Sequence, residues 1–215
     1  MKRCLILVIL LTRPQLRADD TGATLFAAKC ASCHGAKAEG DQKQQAPSLA
    51  SLPDWYLTKQ INKFKKEIRG AKAEDLDGLK MKAIAHTLKP AELKMLATHI
   101  SKLSRVQSAF TLKGDVDQGR ELFRENCMAC HRYNGSGEKF FGSPPLTGLQ
   151  DWYIHKQLKK FRQGIRGDHK EDIEGKKMHV VTGTLEKKDL LDIATFIPHL
   201  AKNKARHTRR DRSSR

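Results

Sequence analysis

The chain has 215 residues, of which 39% are hydrophobic and 30% are charged. This composition is typical of a soluble globular protein with one ordinary domain or two small ones, and it excludes collagens, coiled-coil arrays and multi-span membrane proteins. The formal net charge of +17 lies mostly at the ends, because residues 19–201 hold 30 basic and 23 acidic side chains, a net charge of only +7. Nucleic-acid binding is therefore not expected.

The first 18 residues have the pattern of an export signal. Two basic residues follow Met1, an apolar run extends from Cys4 to Leu11, and Ala18 precedes an acidic pair. This run is too short to span a bilayer. We expect residues 1–18 to be a signal peptide that directs export of the chain and is then removed. The alternative, a buried N-terminal strand, finds no support in an alternating pattern.

The four cysteines outside the signal occur in two short motifs of the form C-x-x-C-H. The motif residues are Cys30, Cys33 and His34 in the first half of the chain, and Cys127, Cys130 and His131 in the second. This spacing attaches c-type haem: two thiols bond to the vinyl groups of one porphyrin, and the histidine on the same turn reaches the iron. A zinc site would not require histidine after both pairs, and a thioredoxin-like dithiol would lie in a βαβ context that is missing. The motifs predict two covalently attached haem c groups.

An internal repeat extends well beyond these motifs. A shift of 97 residues superposes them and, without a gap, also superposes many glycine, proline, aromatic and glutamine positions. The longest identical stretches are Asp54-Trp55-Tyr56 with Asp151-Trp152-Tyr153 and Ile68-Arg69-Gly70 with Ile165-Arg166-Gly167. We therefore expect two copies of one domain, over residues 19–106 and 107–201. A core of this size is marginal alone, and a covalent haem supplies the missing apolar mass.

The repeat also indicates the second axial ligand of each iron. Apart from the motif histidines, no histidine recurs at the 97-residue spacing, whereas Met81 falls on Met178. Charged neighbours such as Lys80 and Lys82 make Met81 a poor candidate for core packing. Histidine and methionine together are the ligand pair of cytochromes c. We predict Met81 and Met178 as the second ligands, carried on loops just before a helical segment.

The hydrophobic periodicity predicts an all-α fold with three main helices in each copy and no convincing strand. The predicted helices cover residues 21–31, 54–66 and 90–103 in the first copy and residues 118–128, 151–163 and 187–200 in the second. Asp54 and Asp151 are expected to cap the middle helices. The intervening segments, rich in glycine, proline and lysine, are expected to wrap the cofactor.

Together these motifs resemble the dihaem class I cytochromes c of the cytochrome c4 type, over about residues 20–201. The resemblance implies that Gly22 and Gly119 let the first helix of each domain cross the last one closely. It implies that the carbonyls of Pro47 and Pro144 accept a hydrogen bond from the motif histidines and so fix their tautomer. It also implies two domains related by a pseudo-twofold axis, with haem edges facing each other.

One position departs from the family pattern, and one segment lies outside it. The last helix of the family usually carries an aromatic residue against the first helix; the second copy has Phe196 there, and the first has His99. Residues 202–215 are predicted to form a basic disordered tail. The alternatives for this tail are docking to an acidic partner and weak contact with an anionic membrane surface.

The resemblance implies an electron-transfer protein and not an enzyme, since two axial ligands leave no open coordination position on the iron. We expect a periplasmic carrier between redox partners such as a quinol-oxidising complex and a terminal oxidase, with rim lysines steering acidic docking faces. Two alternatives stay open. The chain could be the cytochrome subunit of a larger oxidoreductase, such as a flavocytochrome c sulfide dehydrogenase, or a dihaem peroxidase in which one haem gives up its methionine.

Overall fold

The computed structural model describes residues 18–106 and 110–213, with side chains for residues 21–106 and 110–200. Residues 1–17, which are all but the last residue of the predicted signal peptide, lie outside the described residues. The predicted domain boundary between residues 106 and 107 adjoins a second segment outside the described residues, 107–109. Over the described ranges the elements are helices, accompanied by isolated bridges and no strand, which confirms the all-α prediction. None of these helices is long and apolar enough to cross a membrane.

Each copy is built from five helical segments in the same order. In the first copy they are α1 (Ala18–Lys29), α2 (Ala31–His34), α3 (Asp54–Lys65), α4 (Leu76–Thr87) and α5 (Pro90–Lys102). In the second they are α6 (Val116–Asn126), α7 (Met128–His131), α8 (Asp151–Arg162), α9 (Ile173–Gly183) and α10 (Lys187–Ser213). The predicted main helices are present, with shifted ends. The prediction of loops around Met81 and Met178 was wrong, because α4 and α9 occupy those segments.

Helices α4 and α9 form because a buried aspartate caps each of them. The side chain of Asp75 accepts a hydrogen bond from the Gly78 amide at 3.0 Å, and Asp172 accepts one from Gly175 at 2.9 Å. Glycine lowers helix propensity, which obscured these helices in the sequence. Both glycines are required, since a Cβ on Gly78 would overlap the Asp75 carboxylate that caps the helix.

Helices α3 and α8 begin one residue earlier than a capping aspartate would place them. Their N-caps are Pro53 and Gln150, so Asp54 and Asp151 occupy the first helical position and not the predicted cap position. Each carboxylate accepts a hydrogen bond from the next residue's amide. Asp151 is also buried, and its carboxylate accepts further hydrogen bonds from Thr111 and Leu112.

The first and last helices of each copy cross at a glycine, as expected from the family resemblance. A Cβ on Gly22 would lie 2.7 Å from the carbonyl oxygen of Met95, and one on Gly119 would overlap the carbonyl oxygen of Asp192. Both distances are shorter than the contacts that real Cβ atoms make. The absence of a side chain thus allows α1 to pack on α5 and α6 on α10.

His99 takes the place that an aromatic residue holds in the second copy. Its ring centroid lies 5.8 Å from that of Phe26, and the Phe196 ring lies 5.6 Å from Phe123. The two contacts are tilted ring pairs of similar geometry. The substitution therefore preserves the crossing with a more polar ring.

Each copy has its own hydrophobic core. The first core includes Phe26, Leu57, Leu96 and Ile100, and the second includes Phe123, Leu158, Ile193 and Ile197. Leu149 packs against both cores and so connects them.

Helix α10 continues beyond the second core to Ser213, over a segment where the sequence predicts a disordered tail from residue 202. Beyond Pro198, which lies inside the helix, the chain has no glycine or proline, the two residues that most strongly end helices. The side chains of residues 201–215 lie outside the described part, and the role of this segment stays a prediction.

Candidate haem sites and the interface between them

Each copy contains a cavity lined by its own motif residues and its own methionine. The first is lined by Cys30, Cys33, His34 and Met81, and the second by Cys127, Cys130, His131 and Met178. Their empty volumes, including the space at the mouth, are about 1570 Å³ and 1120 Å³. The eight predicted site residues are therefore grouped in two sets of four.

The motif histidines are buried on the short helices α2 and α7 and have a fixed ring orientation. The Nδ1 atom of His34 lies 2.8 Å from the carbonyl oxygen of Pro47, and that of His131 lies 3.1 Å from the carbonyl oxygen of Pro144. A carbonyl oxygen can only accept, so Nδ1 donates and Nε2 keeps its lone pair for a metal. Burial lowers the pKa of both histidines despite these hydrogen bonds, which favours the neutral form that binds iron.

The motif cysteines form no disulfide with one another. Burial raises the pKa of the Cys30 thiol to about 11 and that of Cys127 to about 12. Cys33 is exposed and Cys130 is half-buried. Within the described residues no three side chains of histidine, cysteine, aspartate or glutamate converge where they could hold a metal ion. The four thiols are therefore available for thioether bonds to a porphyrin.

The methionines lie half-buried in the middle of α4 and α9, and not on loops as the sequence suggested. Each helix starts at its capping aspartate, and six residues later the methionine lines the same cavity as the motif histidine. A helix holds its side chain in a narrower range of positions than a loop does. The donor set of each cavity, with two thiols, one imidazole and one thioether, fits a haem c.

Five side chains line both cavities. One is Leu149, and the other four form a shared wall between the cavities. They are Tyr56 and Gln60 of α3 and Tyr153 and Gln157 of α8. Each residue of the first pair is superposed on one of the second by the repeat. The wall is therefore a self-complementary contact about a pseudo-twofold axis, which agrees with the arrangement implied by the resemblance.

Two arginines bind this wall from opposite sides. Arg69 donates to Gln60 of its own copy at 2.8 Å, and to Gln157 and Tyr153 of the other copy at 3.2 Å each. Arg166 makes the reciprocal set of hydrogen bonds: to Gln157 at 2.7 Å, to Gln60 at 3.0 Å and to the Tyr56 hydroxyl at 3.4 Å. Arg69 lines the first cavity and Arg166 lines the second, so each cavity has a guanidinium group in its wall.

Lysines of each copy form ion pairs with carboxylates of the other copy. Nζ of Lys63 lies 2.5 Å from Asp172 and 3.0 Å from Glu174, and Nζ of Lys160 lies 2.5 Å from Asp75 and 3.3 Å from Asp77. Lys59 adds a pair with Glu174 at 2.7 Å, and Lys156 adds one with Asp77. Partial burial raises the pKa of Glu174, but hydrogen bonds from Lys59 and Lys63 outweigh it and lower that pKa to about 2.

The arginines and these charged residues were not assigned to the site from the sequence. A signal for them existed, because Lys63, Asp75 and Arg69 all recur unchanged 97 residues later. The recurrence shows that both copies use these residues, but it does not show that the partners come from different copies.

Comparison with known proteins places the chain in a class. A cytochrome c family model matches it twice, over residues 20–104 and 116–201. The chain therefore belongs to the cytochrome c family, as a tandem protein with two covalently bound haem c groups.

Individual relatives refine this class. A cytochrome c4 from Pseudomonas aeruginosa is 29% identical over 190 residues, spanning 85% of this chain and 89% of the relative. A thiosulfate dehydrogenase electron acceptor from Stutzerimonas stutzeri is 30% identical over 164 residues, 72% of each chain. The crystal structure of reduced cytochrome c4 from Pseudomonas stutzeri superposes with a TM-score of 0.65 at 27% identity, covering 84% of this chain and 97% of that one. The protein is thus a dihaem electron carrier of the cytochrome c4 type.

Proposed function

We propose that this chain carries electrons between redox proteins on the periplasmic side of the membrane, with each haem iron held by one histidine and one methionine. The ligand pairs are His34 with Met81 and His131 with Met178, and the thioether bonds form at Cys30, Cys33, Cys127 and Cys130. The observation that carries this proposal is the grouping of all eight residues around two cavities. The export pattern of the first 18 residues supports the location.

The bound haem supplies one-electron chemistry, and the protein determines its ligands and surroundings. Histidine and methionine at both axial positions would hold the oxidised and the reduced iron alike, so a change of oxidation state would need little rearrangement. The Pro47 and Pro144 carbonyls keep each imidazole in one orientation. This arrangement suits electron transfer and leaves no coordination position for a substrate.

Electrons are proposed to pass from one copy to the other within the chain. The two cavities share the wall formed by Tyr56, Gln60, Tyr153 and Gln157, so no other layer of the fold separates the two sites there. Arg69 and Arg166 would bind the haem propionates from this wall. The reciprocal hydrogen bonds of the two arginines keep the copies in one relative orientation.

A second candidate is an electron-accepting subunit that works with a dedicated dehydrogenase. The similarity to a thiosulfate dehydrogenase electron acceptor favours it. A carrier that exchanges partners would purify alone from its native host, whereas a subunit would copurify with a second chain. Size-exclusion chromatography of the native extract, followed by haem staining, separates the two.

Carbon monoxide tests the proposed ligation, because it binds ferrous haem only where an axial position is open or easily vacated. We expect the optical spectrum of the fully reduced protein to stay unchanged after addition of carbon monoxide. If about half of the haem responded, the two sites would be unequal, and a dihaem peroxidase, the remaining alternative, would become the better assignment.

Replacement of either methionine provides the matching prediction. Met81→Ala or Met178→Ala should lower the reduction potential of the haem in that copy and make that haem bind carbon monoxide. Spectroelectrochemical titration and carbon monoxide binding measure both effects, and the unmodified copy of each variant is its control. An unchanged potential in either variant would refute that methionine as a ligand.

A further inference from the structure

The aspartates that cap the methionine-bearing helices are bound by lysines of the opposite copy. Asp75 caps α4 and pairs with Lys160 of α8, and Asp172 caps α9 and pairs with Lys63 of α3. Each Nζ–Oδ1 distance is 2.5 Å. Two helix N-termini are therefore completed by residues from outside their own domain.

Each of these aspartates performs two tasks with one side chain. The same Oδ1 atom of Asp172 accepts from the Gly175 amide and from Nζ of Lys63, and Oδ1 of Asp75 does the same with Gly78 and Lys160. The aspartate side chains are only 2% and 3% exposed. A carboxylate buried to this degree is stable in its charged form only beside its cation. Removal of the lysine therefore affects the cap as well as the ion pair.

The first turns of these helices have little room to adjust. A Cβ on Gly78 would lie 2.8 Å from the Cα of Gly70, so the helix start is packed against its own preceding loop. In the second copy the same two segments are in contact, because a Cβ on Gly167 would overlap the Gly175 carbonyl oxygen. Each methionine lies six positions after the capping aspartate, which is less than two helical turns. We therefore expect a shift at the cap to move the methionine.

We propose that Lys63 and Lys160 are positioning residues for the axial methionine of the opposite domain, Met178 and Met81 respectively. Each domain holds the cap that sets the other domain's methionine helix against the haem. This inference rests on the proposed ligation by the methionines. It follows that the iron at each site is six-coordinate only while the two domains are in contact.

The test uses the full-length holoprotein with Lys63→Met, which removes the charge and keeps most of the side-chain volume. We expect the second haem to bind carbon monoxide in a fraction of the reduced protein at least about tenfold above that of the unmodified chain, since loss of one member of a buried ion pair costs well over the 1.4 kcal/mol that corresponds to tenfold. The methyl proton signal of Met178, shifted by the haem ring current, should weaken in the NMR spectrum. The signal of Met81 should stay. Lys160→Met should give the mirror result at the first haem.

Three further variants separate positioning from general destabilisation. Lys59→Met removes a charge from the same helix, but Lys59 pairs with Glu174, which does not cap α9, so neither methionine signal should change. Lys63→Arg should retain the Met178 signal. Lys63→Met combined with Asp172→Asn should recover part of it, because asparagine accepts the Gly175 hydrogen bond without a buried charge.

The outcomes divide clearly. The inference is overturned if Lys63→Met leaves the Met178 signal and the second haem unchanged, or if both haems become reactive to the same extent. If the unmodified reduced protein already bound carbon monoxide at both haems, the ligation itself would be refuted, which distinguishes failure of the proposed function from failure of this inference.

Discussion

At the crossing of α6 and α10, Gly119 leaves no room for a side chain, because a Cβ there would overlap the Asp192 carbonyl oxygen. Alanine in place of glycine inside a helix ordinarily stabilises by about 1 kcal/mol. Here we expect Gly119→Ala to lower the free energy of unfolding by about 1–3 kcal/mol, since the two helices must move apart. Urea unfolding of the holoprotein, followed by circular dichroism, measures the change.

Gly183, the last residue of α9, is the matched control for this prediction. A Cβ on Gly183 meets no atom within 4 Å. Gly183→Ala should therefore leave the stability unchanged or raise it. If both substitutions lowered stability equally, the close crossing would not explain the effect at Gly119.

At the scale of single elements, Asp151 at the start of α8 binds the segment that joins the two copies. The buried carboxylate of Asp151 accepts hydrogen bonds from the Thr111 amide at 2.5 Å, the Thr111 hydroxyl at 2.7 Å and the Leu112 amide at 2.9 Å. We expect Asp151→Ala to cost about 2–4 kcal/mol of stability, because several donors lose their acceptor. Faster hydrogen exchange at the Thr111 and Leu112 amides should accompany it.

The repeat supplies the control for this element. Asp54 starts α3 at the equivalent position, but it is exposed and accepts a hydrogen bond from the Trp55 amide of its own helix. Asp54→Ala should cost no more than about 1 kcal/mol. Equal losses in both variants would show that the effect belongs to the helix start and not to the joining segment.

For the molecule as a whole, the ion pairs between the copies predict a dependence of stability on pH. Glu174 has its pKa lowered from 4.5 to about 2 by Lys59 and Lys63, although partial burial opposes this, and the pKa of Asp77 is lowered in the same direction. A carboxylate with a lowered folded-state pKa stabilises the protein above its unfolded pKa and loses this contribution as pH falls through the folded value. We expect the melting temperature to fall as pH decreases from about 4.5 to about 2.

Glu174→Gln should flatten this part of the pH profile, because glutamine does not titrate. Glu171→Gln removes the same charge from an exposed position outside these ion pairs and should leave the profile as it is. Calorimetric scans of the three proteins across this pH range compare them. A profile of equal slope in Glu174→Gln and the unmodified chain would contradict the assignment.

The amino-acid sequence by itself determined the fold class, the two haem c groups and the eight residues proposed to hold them. These features depend on local or periodic information. Each C-x-x-C-H motif lies within five consecutive residues, and a gapless repeat of 97 residues singled out Met81 and Met178 from the other methionines. Motifs and repeats can be recognised without knowing which segments come together in space.

The tertiary structure alone decided where the two copies meet and what each one supplies to the other. Helix α4 escaped prediction because its glycine lowers helix propensity, and the lysine that pairs with its capping Asp75 comes from the other copy. Lys63 and Asp172 are 109 residues apart. Both recur in the repeat, but a repeat is identical whether partners lie within one copy or in opposite copies. That choice is made by packing, since burying a charge requires its counter-ion to be within hydrogen-bonding distance.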